Sequence, residues 1–94
     1  MKVVGKLKLD DFVEDHADVR TQVYAWLWEA EDAEWKNTKD IKDRYAQASF
    51  LANNLVVFNL KGNHYRLVVK ISYNTGIVKI EKIGTHAEYS KWNL

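Results

Sequence analysis

From Leu55 onward the hydrophobic period changes to two, in segments separated by two turn signals. A period of two sustained over such a length places side chains alternately on two sides of an extended chain, which a helix cannot do. Gly62-Asn63 suits a tight hairpin turn, and Asn74-Thr75-Gly76 suits a three-residue turn with glycine in the left-handed position. The spacing predicts three antiparallel strands at 55–60, 64–73 and 77–83.

Alternation also assigns the two faces. Tyr65, Leu67, Val69, Ile71 and Tyr73 point one way, with Val56, Phe58, Leu60, Val78 and Ile80. Arg66, Val68, Lys70 and Ser72 point the other way, together with Asn59, Lys79 and Glu81. A slip of one residue would bury Arg66 and Lys70, so the register is specified strongly. The outer face is expected to be cationic, and partly concave once the sheet twists.

Upstream of Leu55 the period changes. Met1 to Val4 reads as a short edge strand, and Leu7, Leu9, Phe12 and Val13 recur at helical spacing over 6–16. Asp18 suits the N-cap of a second helix over 19–35, whose apolar stripe is Val19, Val23, Trp26, Leu27 and Ala30. Tyr24 and Trp28 sit four residues apart on a different part of its surface, where exposed aromatics would suit a protein partner. A turn at 37–40 leads into a brief third helix at 41–45, and 49–52 reads as a short strand before the turn residues Asn53-Asn54. The expected architecture is an α+β domain, a helical hairpin packed on an antiparallel sheet, with a short final helix.

At 94 residues the chain supports one modest core and so a single domain over 1–94. No apolar run reaches the length of a membrane span, and no basic leader precedes an apolar stretch. The absence of cysteine removes thiolate chemistry and fits a cytoplasmic protein. His16, His64 and His86 have no metal-ligand spacing, and no phosphate-cradling glycine loop or nucleophile elbow occurs, so neither metal nor cofactor is expected. The net charge of +1 conceals an asymmetry. Residues 1–54 hold 8 Lys/Arg against 11 Asp/Glu, and residues 55–94 hold 6 against 2. A positive surface for phosphate is therefore compatible with a nearly neutral chain.

Two segments carry a family likeness. Val57-Phe-Asn-Leu-Lys-Gly-Asn-His-Tyr-Arg-Leu67 and Ile83-Gly-Thr-His-Ala-Glu-Tyr89 resemble the HigB family of toxins from bacterial type II toxin–antitoxin systems, over about the last 40 residues. The resemblance implies a RelE-like fold and a metal-independent mRNA endonuclease acting on ribosome-bound message, which inhibits translation and growth. It implies a cognate antitoxin with a helix-turn-helix domain, through which the complex would reach operator DNA. The sequence departs from a basic-tailed toxin at Lys91-Trp-Asn-Leu94, so cations for RNA are expected elsewhere. The alternative reading is a non-catalytic relative that binds an antitoxin-like protein or RNA without cutting it.

Cleaving RNA without metal requires a group to take the 2′-hydroxyl proton, charge to stabilise the phosphorane, and an acid for the leaving 5′-oxygen; each such group is worth about 10²–10⁴-fold. Arg66 offers a fork for two phosphate oxygens, or else pairs with Glu81 across the sheet. Lys70 and Lys79 supply point charges for the backbone, or simply solvate the face. His86 is the candidate acid or base, histidine being the side chain that exchanges protons nearest neutrality. Thr85 and Glu88 have the spacing of a capping box at the start of a final helix, which would position His86 whether or not Glu88 takes part in catalysis. Tyr89 suits base stacking, leaving-group protonation or the core. Lys61, Asn63 and Asn59 complete the RNA-binding candidates; Asn63 is also a turn residue, and Asn59 either bonds to neighbouring backbone or orients a site group.

Overall fold

Strands β3 (Leu55–Leu60), β4 (Tyr65–Ser72) and β5 (Ile77–Thr85) form the antiparallel meander in a computed structural model of residues 1–94. Two short strands extend it. β1 (Lys2–Val4) lies parallel to β5 on one edge, and β2 (Ser49–Phe50) antiparallel to β3 on the other, giving the order β1-β5-β4-β3-β2. The four helices are α1 (Leu7–Asp15), α2 (Arg20–Asp32), α3 (Thr38–Arg44) and α4 (His86–Tyr89). No helix is long and apolar enough to cross a membrane.

The inner sheet face is the one that alternation assigns. Val56, Phe58, Leu60, Tyr65, Leu67, Val69, Ile71, Val78 and Ile80 are buried in one cluster with Leu9 and Val13 of α1 and Val23, Trp26, Leu27 and Ala30 of α2. Side chains of this size contribute about 1.5–3 kcal/mol each on full burial, so this layer outweighs any surface ion pair. Phe58 is its hub, with the rings of Trp26, Trp35 and Tyr45 centred 5.3, 6.1 and 5.0 Å away.

Several boundaries differ from the sequence expectation, each for a local reason. Helix α2 stops at Asp32, short of Trp35. Ala33 turns extended there, and the ammonium of Met1 donates to the carbonyls of Ala30, Glu31 and Ala33. Trp35 is buried beyond the helix rather than within it. Asp18 does not cap α2: it lies in a 3₁₀ turn at Ala17–Val19, and its carboxylate is used elsewhere. Helix α3 starts at Thr38 because Asn37 caps it, accepting from the Asp40 N–H at 3.1 Å.

The β3–β4 connection is wider than a Gly62-Asn63 turn. Leu60 pairs with Tyr65, leaving Lys61 to His64 as the loop, and the left-handed residues are Lys61 (φ 49°) and Gly62 (φ 66°). Lys61 is not a residue that adopts this conformation freely. Its ammonium is held 2.9 Å from the Asp18 carboxylate, which offsets the strain.

The outer face departs furthest from simple alternation. A β-bulge lies between the Val68–Lys82 and Val69–Ile80 pairs, which leaves Glu81 as the extra residue of β5. Lys82, rather than Glu81, therefore stands across from Val68. Glu81 approaches Lys79 at 3.8 Å, and the Arg66–Glu81 pair does not form. Val57 and Val68 are fully buried on this side, so the face is not an open cationic plate.

Candidate nucleic-acid interface

Register builds the site in three rows on the outer face. Lys70 stands opposite Lys79, Val68 opposite Lys82, and Arg66 opposite Gly84, with Asn59 on the other flank of Arg66. Two lysines directly across a strand pair repel each other, and only Lys79 has a carboxylate nearby, Glu81 at 3.8 Å, so the arrangement suits a further anion. Arg66 and Lys70 are four residues apart on one strand, about 13 Å, and would meet different parts of a bound chain.

Gly84 lets the chain end fold back over Arg66. A Cβ there would lie 2.7 Å from Trp92 Cζ2 and 3.1 Å from Glu88 Oε1. Glycine is required here by space and not by backbone angle. Tyr89 of α4 covers Arg66, its ring centroid 5.5 Å from the guanidinium carbon, and Trp92 does the same for Lys82 at 5.4 Å. Gly84→Ala is expected to push Trp92 and α4 off the sheet. Trp fluorescence and amide exchange would show α4 opening while the β-strands stay protected; an unchanged α4 would mean that Trp92 yields locally.

Arg66 is buried, with only 8% of its surface exposed. One terminal nitrogen donates to the carbonyls of Asn63 (3.0 Å) and Tyr65 (3.2 Å). Nε and the second terminal nitrogen have no partner within the chain and are not sealed from solvent. Part of the fork is therefore free for an anion. The Asn63 carbonyl ties Arg66 to the hairpin loop, and the Asn63 side chain accepts from the Asn59 amide, which also donates to Gln47. Asn59 thus bonds to side chains near the site rather than to backbone.

The loop, the start of α4 and the turn before α2 enclose a cleft of about 580 Å³ lined by Lys61, Asn63, His64, Tyr65, Thr85 and His86, with Asp18 and Ala87. The capping box forms as its spacing implies: Thr85 Oγ1 accepts from the Glu88 N–H, and Glu88 accepts from the Thr85 N–H at 2.9 Å. That backbone bond is the main cause holding the Glu88 carboxyl below its ordinary range. One oxygen of Glu88 serves the cap, and the cap fixes His86 at the first position of α4, where its side chain is exposed.

Sequence reasoning missed His64. Tyr65 pairs with Thr85 at the end of the β4–β5 ladder, so the next residues outward, 64 and 86, must be neighbours. The His86 N–H donates to the His64 carbonyl at 2.9 Å, and both residues border the cleft. The pairing depends on the bulge at Glu81, since the turn-set register without it would bring His64 to Thr85. No group of three His, Cys, Asp or Glu residues is placed to hold a metal ion.

Asp18 anchors the opposite wall. Its carboxylate accepts from Lys61 and from the Tyr65 hydroxyl at 2.8 and 2.9 Å. Those bonds lower its pKa, Lys61 foremost, and the same contact raises that of Tyr65. A carboxylate whose folded pKa is depressed stabilises the fold above its unfolded value near 3.8, and that stability disappears as pH falls through the lower folded value. Urea midpoints from pH 6 to pH 2 should thus fall more steeply for the natural chain than for Asp18→Asn, with a constant difference above about pH 5. Parallel curves would mean that the contact is absent in solution.

The sequence-predicted residues thus fall into three groups. His86, Lys61 and Asn63 meet at the cleft, with Asn59 bonded to Asn63; Arg66 lies under Tyr89 of α4, linked to the cleft through Asn63, while Glu88 caps α4; and Lys70 and Lys79 form a separate cationic pair farther along the sheet. No curated protein matches the chain. Residues 19–92 match the family model HigB_toxin, described as the RelE-like toxic component of a toxin-antitoxin system. With most of its length inside that match, and with the α+β fold described above, the chain belongs to the HigB_toxin family of RelE-like toxins.

Proposed function

We propose that this toxin is a metal-independent endonuclease that cuts ribosome-bound mRNA in the cytoplasm and is restrained by a helix-turn-helix antitoxin, through which it reaches operator DNA. The observation that carries the reading is the cleft at the end of the β4–β5 ladder, where His64 and His86 are neighbours beside Lys61. One imidazole takes the proton of a ribose 2′-hydroxyl, and that oxygen attacks the adjacent phosphorus. The bond from phosphorus to the 5′-oxygen breaks, and the other imidazole, protonated, returns a proton to the leaving oxygen. The products are a 2′,3′-cyclic phosphate and a 5′-hydroxyl end.

Charge on the phosphorane needs fixed cations, which Lys61 and the free part of the Arg66 fork supply. Tyr89 holds Arg66 from above, the Glu88 cap orients His86, and the Asn59–Asn63 amides set the loop. Lys70 and Lys79 bind the phosphates of the same strand farther along the sheet. The test is 5′-end mapping of cellular mRNA after brief induction. New 5′-hydroxyl ends inside translated frames are expected; normal growth with no new ends supports the alternative, a module that binds antitoxin or RNA without cutting.

A further inference from the structure

The molecule has a second unusual surface, on the helices. Leu7 is 75% exposed and Trp28 67%, the most exposed large apolar residues of the chain. They belong to one patch. Leu7 lies between two bridges that join α1 to α2: Lys6 to Glu31 at 3.0 Å, and the Tyr24 hydroxyl donating to Asp10. Asp10 is one turn beyond Leu7, and Tyr24 is one turn before Trp28, its ring stacked on the indole at 6.3 Å and 28°. The bridges hold the aromatic pair in place without covering it.

The surround is acidic. Residues 6–34 contain nine Asp/Glu against three Lys/Arg, and Asp10, Asp11, Glu14, Glu31 and Asp32 are exposed. An apolar centre with a carboxylate rim repels RNA and complements a segment that is apolar on one side and cationic around it. A toxin of this family has an antitoxin partner. We propose that the antitoxin docks here, laying an amphipathic helix rich in Lys and Arg across Leu7, Tyr24 and Trp28. Occupancy of this surface is distinct from the cleft at His64 and His86, so the inference does not rest on the nuclease reading.

The test is calorimetric titration of the full chain with its purified cognate antitoxin. Trp28→Asp is expected to weaken binding about 100-fold, the scale of a central aromatic anchor, and Trp28→Phe to restore most of it. Asp10→Lys should weaken binding as well and reduce its salt sensitivity. Trp28 is exposed, so circular dichroism of the variants should be unchanged, and a loss of affinity then reports on the contact. Wild-type affinity in folded Trp28→Asp overturns the proposal, as does a loss confined to Lys70→Glu, which would put the antitoxin on the sheet. A Trp28-dependent dimer of the isolated chain also overturns it, assigning the patch to a second copy.

Discussion

Phe58→Ala is expected to remove about 3–5 kcal/mol of stability, the range for truncating a fully buried aromatic, from a fold whose total is on the order of 5–15 kcal/mol. Phe58 contacts three other rings that come from α2, from the segment after it and from the end of α3. No neighbouring chain segment is free to fill the void, because Tyr45 is itself tied to Glu29 through its hydroxyl and Trp35 is buried. Burial and that bond to Glu29 both push the Tyr45 hydroxyl pKa well up, so it stays a neutral donor throughout the usual range. Urea denaturation at constant slope should give this loss as the slope times the fall in midpoint, whereas exposed Trp28→Ala should cost less than about 0.5 kcal/mol. A Phe58→Ala loss under about 1 kcal/mol would mean that the remaining three rings repack as a set.

His64→Asn and His86→Asn are each expected to slow mRNA cleavage about 10²–10⁴-fold, as follows when a positioned proton-transfer group is removed. The double variant should lose little more than the worse single one, because the two groups serve a single displacement. Asparagine keeps the polarity and nearly the size of histidine, and both sites are exposed, so the fold should be unaffected. The measurement is the cleavage rate of a reporter message in a translating extract, with toxin at fixed concentration. His64→Asn cutting at the natural rate would remove His64 from proton transfer and leave His86 to work with another group. Full multiplicative loss in the double variant would point to two independent roles.

Part of the local geometry around the cleft was legible in the sequence. The alternation of β4 separates Arg66 and Lys70 from Leu67 and Ile71, and the structure keeps that separation. The Thr85–Glu88 cap could be read because a capping box is local, involving four consecutive residues. The double role of Asn63 could not, since its loop carbonyl meets Arg66 only after the hairpin closes with four loop residues. The bulge at Glu81 left one trace, the three-residue step from Ile80 to Ile83, but that step reads as the end of a strand until Leu67 is laid beside Ile83; the extra residue moves Lys82 onto the outer face.

Asp18 shows the same limit from the other direction. By local rules it is a helix cap; in the fold its carboxylate is taken by Tyr65 and Lys61, more than 40 residues away, and α2 begins without a side-chain cap. Period, turn chemistry and capping act over a few residues, so the meander, its inner face, the final cap and the family likeness could be read from the residues alone. Folding alone brings His64 to His86, buries Arg66 beneath Tyr89, and sets Leu7 and Trp28 on one acidic helical face. Those are meetings between distant segments, set by strand register and by which surfaces the core leaves uncovered.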